Sequence, residues 1–420
     1  MKVVIKNTLA DTLSFLTHTK KRDRLFAKAL DLPMPKGTMN TLSAALHPAK
    51  QDMVIQSIIQ ETADTKTYRL VMSDAKMHPA FFRAGQYISC VFQVDKSTAS
   101  RPFSLSSTPR QTLDEGFYDI TIKKTDPGFI SSFVYDSWKV GTQILCTAPT
   151  GDFYYQELRD SRSVICLAGG SGVTPFKSMI PDILKDYPDM QVILFHGAVL
   201  ADQFIFSDYF KNLQEENPSQ FTYIPVCSDP VEATIEAADW QGESGLISVS
   251  LIEKVLKSTI PEKNLEACTL FISGPPAMEK YLEDELKNTR IQKRRIRTES
   301  SESQKSKVGN ADSTSVPTIT HSLIVHMNTH THTIQANEHE TVLVALERAG
   351  LKPPSLCRSG TCGWCRSRLI SGTVAKAPNT HGTRSADDKF GYFHPCSEFP
   401  ASDAEIYIPD DPIINREEKG

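Results

Sequence analysis

The chain has 420 residues, 23% of them charged, with a formal net charge of −4 at pH 7. That length holds roughly two to four domains of about 100–200 residues, and the charge balance excludes nucleic acid as the main partner, which needs a basic footprint. No apolar run reaches the ~18–20 residues that cross a bilayer, so no transmembrane segment is expected. Val3-Val4-Ile5, cut off by Lys6, is too short for the apolar core of a secretory signal. A cytoplasmic protein is expected. Five cysteines, Cys90, Cys146, Cys166, Cys227 and Cys268, stand singly among apolar residues and read as small buried hydrophobes in a reducing compartment.

Residues 1–48 read as a helical extension. Leu9, Leu13 and Leu16, then Leu25, Phe26, Ala29 and Leu30, recur at helical intervals until Leu32-Pro33-Met34-Pro35-Lys36-Gly37. Such a helix packs on the next domain, or, with Lys20, Lys21, Arg22 and Arg24 beside it, meets a membrane surface or a partner. Residues 49–156 read as short strands, Met53–Ile59, Thr67–Met72, Gln86–Phe92, Tyr118–Lys123 and Gln143–Thr147, the pattern of a small antiparallel barrel or sandwich. Residues 157–298 turn to alternating α/β. Val164–Ala168, Val192–His196, Thr222–Val226 and Leu270–Ser273 are apolar strands with helices such as Phe176–Asp186 and Pro276–Asn288 between them, which predicts a parallel sheet covered on its faces. Residues 299–317 are a Ser-rich linker, and a last domain occupies 318–420. In it His330–Ile334 reads as a strand, Thr341–Ala349 as a helix and Ile406–Ile408 as a closing strand. The basic run Lys293–Arg297 is a solvated surface or a docking patch for an acidic acceptor.

Three motifs carry chemistry. The first is Cys357-x4-Cys362-x2-Cys365 with Cys396 after thirty more residues, the spacing of a plant-type 2Fe–2S site. One tight loop supplies three thiolates and a separate segment the fourth. Gly360 and Gly363 let the backbone wrap closely around the cluster. Zinc sites pair two short hooks instead. Trp364, between the last two loop cysteines, either shields the cluster, contacts an acceptor or simply packs.

The second motif is Arg101-Pro102-Phe103-Ser104-Leu105-Ser106-Ser107, followed by Gly128-Phe129-Ile130-Ser131-Ser132 and Pro149-Thr150-Gly151-Asp152-Phe153. An Arg can pair with a flavin phosphate, an aromatic can lie along the flavin, a Ser hydroxyl can bond the ring near N5, and a helix N-terminus can hold a pyrophosphate. The third is Gly169-Gly170-Ser171-Gly172-Val173-Thr174-Pro175 after an apolar strand, with Ser228 after the third strand, Trp240 before Gly242 and Gly245, and Ser273-Gly274-Pro275 after the fourth. Glycines admit a pyrophosphate close to the backbone, and Pro175 suits the first helical turn.

Together these motifs resemble the ferredoxin–NADP reductase superfamily with a C-terminal plant-type 2Fe–2S ferredoxin domain. The order of domains is similar to that of phthalate dioxygenase reductase and of the NADH oxidoreductase of hybrid-cluster protein. The resemblance implies an antiparallel β-barrel flavin domain, an α/β nucleotide domain and a β-grasp ferredoxin domain. It implies that Arg101, Pro102, Phe103, Ser104 and the segment Gly128, Phe129, Ile130, Ser131 and Ser132 hold FAD; a Thr in place of Arg101 would mark an FMN relative. It implies that Gly170, Gly172, Thr174, Pro175, Ser228, Gly274 and Pro275 hold the nicotinamide dinucleotide, and that Cys357, Cys362, Cys365 and Cys396 hold the cluster. Ser104, Ser273 and Glu299 would act at the meeting point of flavin and nicotinamide, with Ser273 standing where the family usually has Cys. Asp229 and Glu232 place acid where NADPH users tend to have Arg, which favours NADH. The implied reaction carries electrons from NADH through FAD and the cluster to a partner protein, such as a terminal oxygenase or hybrid-cluster protein. Reduction of a small acceptor, or service as the input subunit of a permanent complex, are the alternatives. The linker is expected to let the ferredoxin domain swing between flavin and acceptor.

Overall fold

The structure, a computed structural model, describes residues 9–28, 37–48, 50–94, 97–125, 129–228, 242–299, 319–327, 329–376 and 385–409. The chain divides into two compact units, 1–45 and 46–420. The first contains α1 (Leu9–Lys28) and most of α2 (Thr38–Leu46). Leu13 and Leu25 of α1 are exposed.

The second unit opens with an antiparallel barrel. Its strands are β1 (Gln51–Thr62), β2 (Thr65–Met72), β3 (Tyr87–Val94), β4 (Ser97–Ser104), β5 (Phe117–Lys123) and β6 (Gln143–Cys146), with helices α3 (Pro109–Glu115) and α4 (Phe129–Ser137) between the later ones. The order is β4-β3-β6-β1-β2-β5. A bridge between Leu105 and Ile120 joins the chain just past β4 to β5, so the two sheet edges meet and the sheet closes. Inside, Phe92 stacks on Trp138 at 5.4 Å and Tyr68 meets the same indole edge-on at 5.2 Å. Burying each such ring contributes about 1.5–3 kcal/mol. The short helix α3 is fixed from both ends: Thr108 and Gln111 form a capping box, Pro109 lies in the first turn, and Gly116 stops the helix at φ 75°. The first four residues of the Arg101 motif lie in strand β4, which none of the expected strands covers. Pro102 is tolerated there because β4 is an edge strand.

Next comes a wholly parallel sheet of β7 (Ser163–Gly169), β8 (Gln191–Ala198), β9 (Phe221–Cys227), β10 (Glu243–Ser244), β11 (Thr269–Ser273) and β12 (Ile296–Thr298). Helices α5 (Thr174–Asp186), α6 (Ser207–Glu216), α7 (Val249–Thr259) and α8 (Pro276–Leu286) connect the strands. All seven residues of β7 are buried, as a central strand covered on both faces requires. The order β10-β9-β8-β7-β11-β12 reverses at β7. From there the chain moves outward in one direction through β8 and β9, then crosses to β11 on the other side. The loops leaving β7 and β11 therefore stand side by side at the carboxyl ends of the strands, where such sheets open a ligand crevice.

The last region comprises β13 (Thr320–Met327), β14 (His330–Asn337), α9 (Val342–Arg348), β15 (Ser367–Ser371), β16 (Val374–Lys376), α10 (Ser385–Lys389), β17 (Tyr392–Phe393), β18 (Glu398–Pro400) and β19 (Ala404–Tyr407). Five strands run β14-β13-β19-β15-β17, and β16 pairs with β18 separately. The expected closing strand near 406 is in fact central: β19 runs parallel to β13 and antiparallel to β15. Leu323, Val325, Ala345, Leu346 and Ile406 form the core under α9. This is the β-grasp arrangement. Among the described residues no helix is long and apolar enough to cross a membrane.

Candidate redox site

The end of β4, the loops after β7 and β11, and the cysteine loop of the last region line one cleft of about 1850 Å³. Each wall follows from local sequence.

On the nucleotide side the two loops interlock through missing side chains. A Cβ on Gly172 would lie 2.2 Å from the Ser273 carbonyl oxygen, and one on Gly169 would lie 2.4 Å from the Met278 sulfur. Only glycine permits that approach. Gly170 (φ +52°) has nothing within 4 Å of its missing Cβ, so its backbone faces open space. Thr174 turns its hydroxyl back to the Ser171 carbonyl at 2.7 Å and starts α5, with Pro175 in the first turn. Ser228, Gly274 and Pro275 line the cleft, as do Gly170, Gly172 and Thr174; Pro175 is buried behind it. Asp229, Glu232 and Trp240 lie outside the described residues.

On the barrel side, pairing in register divides the motif in two. Cys90 faces Arg101 and Ile88 faces Phe103, whereas Ser89 faces Pro102. Side chains alternate across a strand, so Phe103 packs against the barrel core while Pro102 and Ser100 turn away from it. Arg101, Pro102, Phe103 and Ser104 all reach the cleft, and Arg101 Nη1 donates to its neighbour's carbonyl, Ser100 O, at 2.8 Å. Phe129 begins α4, and Ile130 and Ser131 in its first turn line the cleft. Ser132, whose hydroxyl donates to Thr125 O at 3.4 Å, does not. Gly128 lies outside the described residues.

Glu299 joins the two walls. It prolongs the pairing of β11 and β12 by donating its N–H to Ile272 O at 2.9 Å. Its carboxylate accepts from Ser104 at 2.5 Å on one oxygen and from Ser273 at 2.7 Å on the other. Burial raises the Glu299 carboxyl above its ordinary range, and the two serine hydroxyls work against that rise. Glu279, on the first turn of α8, is pushed up to about 7 by its own burial and by the charge of Glu299. Its Oε1 is buried without a hydrogen-bond partner.

The third wall is the cysteine loop. Left-handed conformations at Arg358, Gly360 and Gly363 curl it (φ 57°, 80° and 72°). Cys357 Sγ accepts from the Ser359 and Cys362 amides, both at 3.4 Å, and Cys362 Sγ from the Trp364 amide at 3.4 Å. Cys365 and Cys396 bring their sulfurs within 3.3 Å of each other beside Leu343. Hydrogen bonds from the Cys362 and Cys396 thiols, with others from Ser359 and Thr361, hold the Cys357 thiol far below its usual range. Amides aimed at sulfur suit an anionic, thiolate-held cluster. Behind the loop, Arg358 forms a buried two-point pair with Glu347 of α9, at 2.6 and 3.1 Å. The Trp364 ring nitrogen is buried without a partner.

Sequence reasoning missed Tyr87. Its ring lies against Gly151, where a Cβ would come within 3.0 Å of it. Burial raises its phenol far above the ordinary value, with further contributions from Cys357, Cys362 and Glu299. It thus lies within electrostatic reach of both the cysteine loop and the Glu299 centre. The tyrosine at the start of a strand carried no signal, because strand tyrosines are common.

Fold and cleft define a flavin- and nicotinamide-dependent oxidoreductase joined to an iron–sulfur domain. Family models match in the same order: an oxidoreductase FAD-binding domain over 52–155, an oxidoreductase NAD-binding domain over 166–284 and a 2Fe-2S iron-sulfur cluster binding domain over 325–400. The chain thus joins an FAD-binding, an NAD-binding and a 2Fe-2S cluster binding domain in that order. It is similar to the glycine betaine monooxygenase reductase subunit of Chromohalobacter salexigens, 24% identical over 359 residues that cover 83% of this chain and 93% of the relative. A second relative is the ferredoxin reductase component of 3-ketosteroid-9-alpha-monooxygenase from Mycobacterium tuberculosis, 24% identical over 84% of this chain and 94% of that one. Among solved structures, phthalate dioxygenase reductase shares the fold with a TM-score of 0.56 at 19% identity, covering 86% of this chain and 98% of its own.

Proposed function

We propose that this protein takes electrons from NADH onto FAD and passes them singly through a 2Fe–2S cluster to a separate electron-accepting protein. One observation carries the reading: the three candidate cofactor walls open onto a single cleft. When bound, the flavin supplies the step from paired to single electrons, and the protein's work is placement. Arg101 would meet the FAD phosphates, with Phe103 and Ser104 along the flavin and the first turn of α4 at the pyrophosphate. The glycine loop after β7 and Gly274-Pro275 would hold the dinucleotide. Cys357, Cys362, Cys365 and Cys396 would hold the cluster. Ser104 and Ser273, both hydrogen-bonded to Glu299, would orient the reacting edge, and Glu299 would hold or release a proton there.

NADH is favoured over NADPH because Asp229 and Glu232 follow β9, where a 2′-phosphate would meet acid. The acceptor is taken to be an oxygenase component, because relatives of the same domain order are reductase parts of monooxygenases. A reducing compartment, the cytoplasm, fits nine cysteines of which none is joined in a disulfide.

Anaerobic titration with NADH and then NADPH, followed by absorbance and electron paramagnetic resonance, tests the reading. It expects a flavin band and a cluster band to bleach with NADH and a one-electron cluster signal to appear. Bleaching of the flavin alone would defeat the relay, and a stronger response to NADPH would defeat the choice of NADH.

A further inference from the structure

Besides the cleft, the barrel and the last region share a second, polar contact. Ser89 of β3 lies between Ile88 and Cys90, both at 0% exposure in the barrel core. Alternation turns Ser89 outward, yet it too is 0% exposed, so something else covers it. The cover is the segment before the first cysteine: Ser89 Oγ donates to Leu356 O at 2.9 Å. On the paired strand Ser100, also turned outward, meets Ser355 Oγ at 2.7 Å and Ser355 O at 3.3 Å. The backbone of Ser89 is itself held by Thr147, whose hydroxyl accepts the Ser89 amide at 3.0 Å. The segment these serines grip is stiff, because Pro353 and Pro354, both buried, fix its φ angles. Cys357 is the next residue after Leu356. A displacement at the grip therefore reaches the first cysteine with little slack.

We propose that Ser89 and Ser100 are positioning residues that dock the cysteine loop on the flavin barrel and set the rate at which electrons pass from flavin to cluster. This rests on the relay reading above. The contact is polar by design. Water can replace each hydroxyl's partner when the domain leaves, so these two bonds add only modest net energy to docking. A ferredoxin domain that must alternate between flavin and acceptor needs such a catch rather than a permanent seal.

The test compares the cofactor-loaded wild type with Ser89→Ala, Ser100→Ala, the double variant and Ser100→Thr. Anaerobic rapid mixing with NADH reads flavin reduction and cluster reduction separately, and hydrogen exchange reads the amides of Ser355, Leu356 and Cys357. Loss of both contacts is expected to slow the flavin-to-cluster phase about ten- to a hundred-fold, the range for two hydrogen bonds of ordinary strength. Flavin reduction and flavin content should stay at wild-type values, the three amides should exchange faster, and Ser100→Thr, which keeps the hydroxyl, should behave as wild type. Unchanged exchange and an unchanged second phase overturn the proposal. Faster exchange with an unchanged second phase overturns its kinetic half. Should the wild type itself fail to reduce its cluster with NADH, the relay reading falls, and the exchange comparison still decides whether the serines dock the loop.

Discussion

The Ser104 hydroxyl donates to Glu299 at 2.5 Å, tying the end of a barrel strand to the end of the nucleotide sheet across 195 positions of sequence. Ser273 occupies the other carboxylate oxygen at 2.7 Å. Replacing Glu299 by Ala removes the acceptor that holds both hydroxyls. The rate of flavin reduction by NADH is expected to fall by about 10²-fold or more, the scale of a lost acid–base or orienting group, with flavin content retained. Rapid-mixing absorbance measures it.

Ser273→Ala tests the same centre through pH. The Ser273 hydroxyl lowers the Glu299 pKa against the rise caused by burial. Its loss should move the Glu299 titration upward, and the pH at which flavin reduction changes should shift to higher values. A downward shift or none would contradict this arrangement.

Gly172→Ala would place a methyl 2.2 Å from the Ser273 carbonyl oxygen, a backbone atom that cannot step aside. Thermal unfolding should register a loss of about 1–3 kcal/mol or more, typical of overpacking. The KM for NADH should rise, because the loops after β7 and β11 can no longer close on each other.

Glu347→Ala strips the buried Arg358 guanidinium of its carboxylate beside the first cysteine. Breaking a buried pair in this way costs about 3–5 kcal/mol. Both the melting temperature and the iron content of the purified protein should drop, as calorimetry and iron assay would show.

Glu279 gives a stability prediction with a defined sign. Its carboxyl is raised from 4.5 to about 7 in the folded protein. Between those values the native state holds more protons than the unfolded one, so stability falls as pH rises through about 7. Glu279→Gln removes that term. Relative to the wild type, the variant should gain stability at pH 8 and gain little at pH 4.5 in parallel denaturant titrations.

Much of this was legible from the chain itself, for physical reasons that can be named. The cysteine spacing was, because three thiolates on one loop leave few alternatives. So was the pairing of glycines with a preceding apolar strand, since close backbone approach excludes every other residue. Strand β4 was not: none of the expected strands covers 97–104, and the edge position is what makes Pro102 harmless there. The union of Ser104 with Ser273 on Glu299 depends on where the parallel sheet reverses and how the barrel meets it, which no local pattern encodes. Ser89 and Ser100 look like ordinary strand serines until the loop that covers them is in place.

The position of β19 governs how this protein can be made. It is the last of the described strands in the sequence, yet it sits in the middle of its sheet, between β13 and β15. Until Ala404–Tyr407 has left the ribosome, β13 and β14 have only each other, and a lone hairpin is marginal in water. The sheet that carries the cysteine loop therefore closes after the barrel and nucleotide sheet have been synthesised. Cluster loading becomes a late event in biogenesis, and a chain cut short before residue 404 would keep its flavin and nicotinamide walls while losing the sheet beneath its iron site.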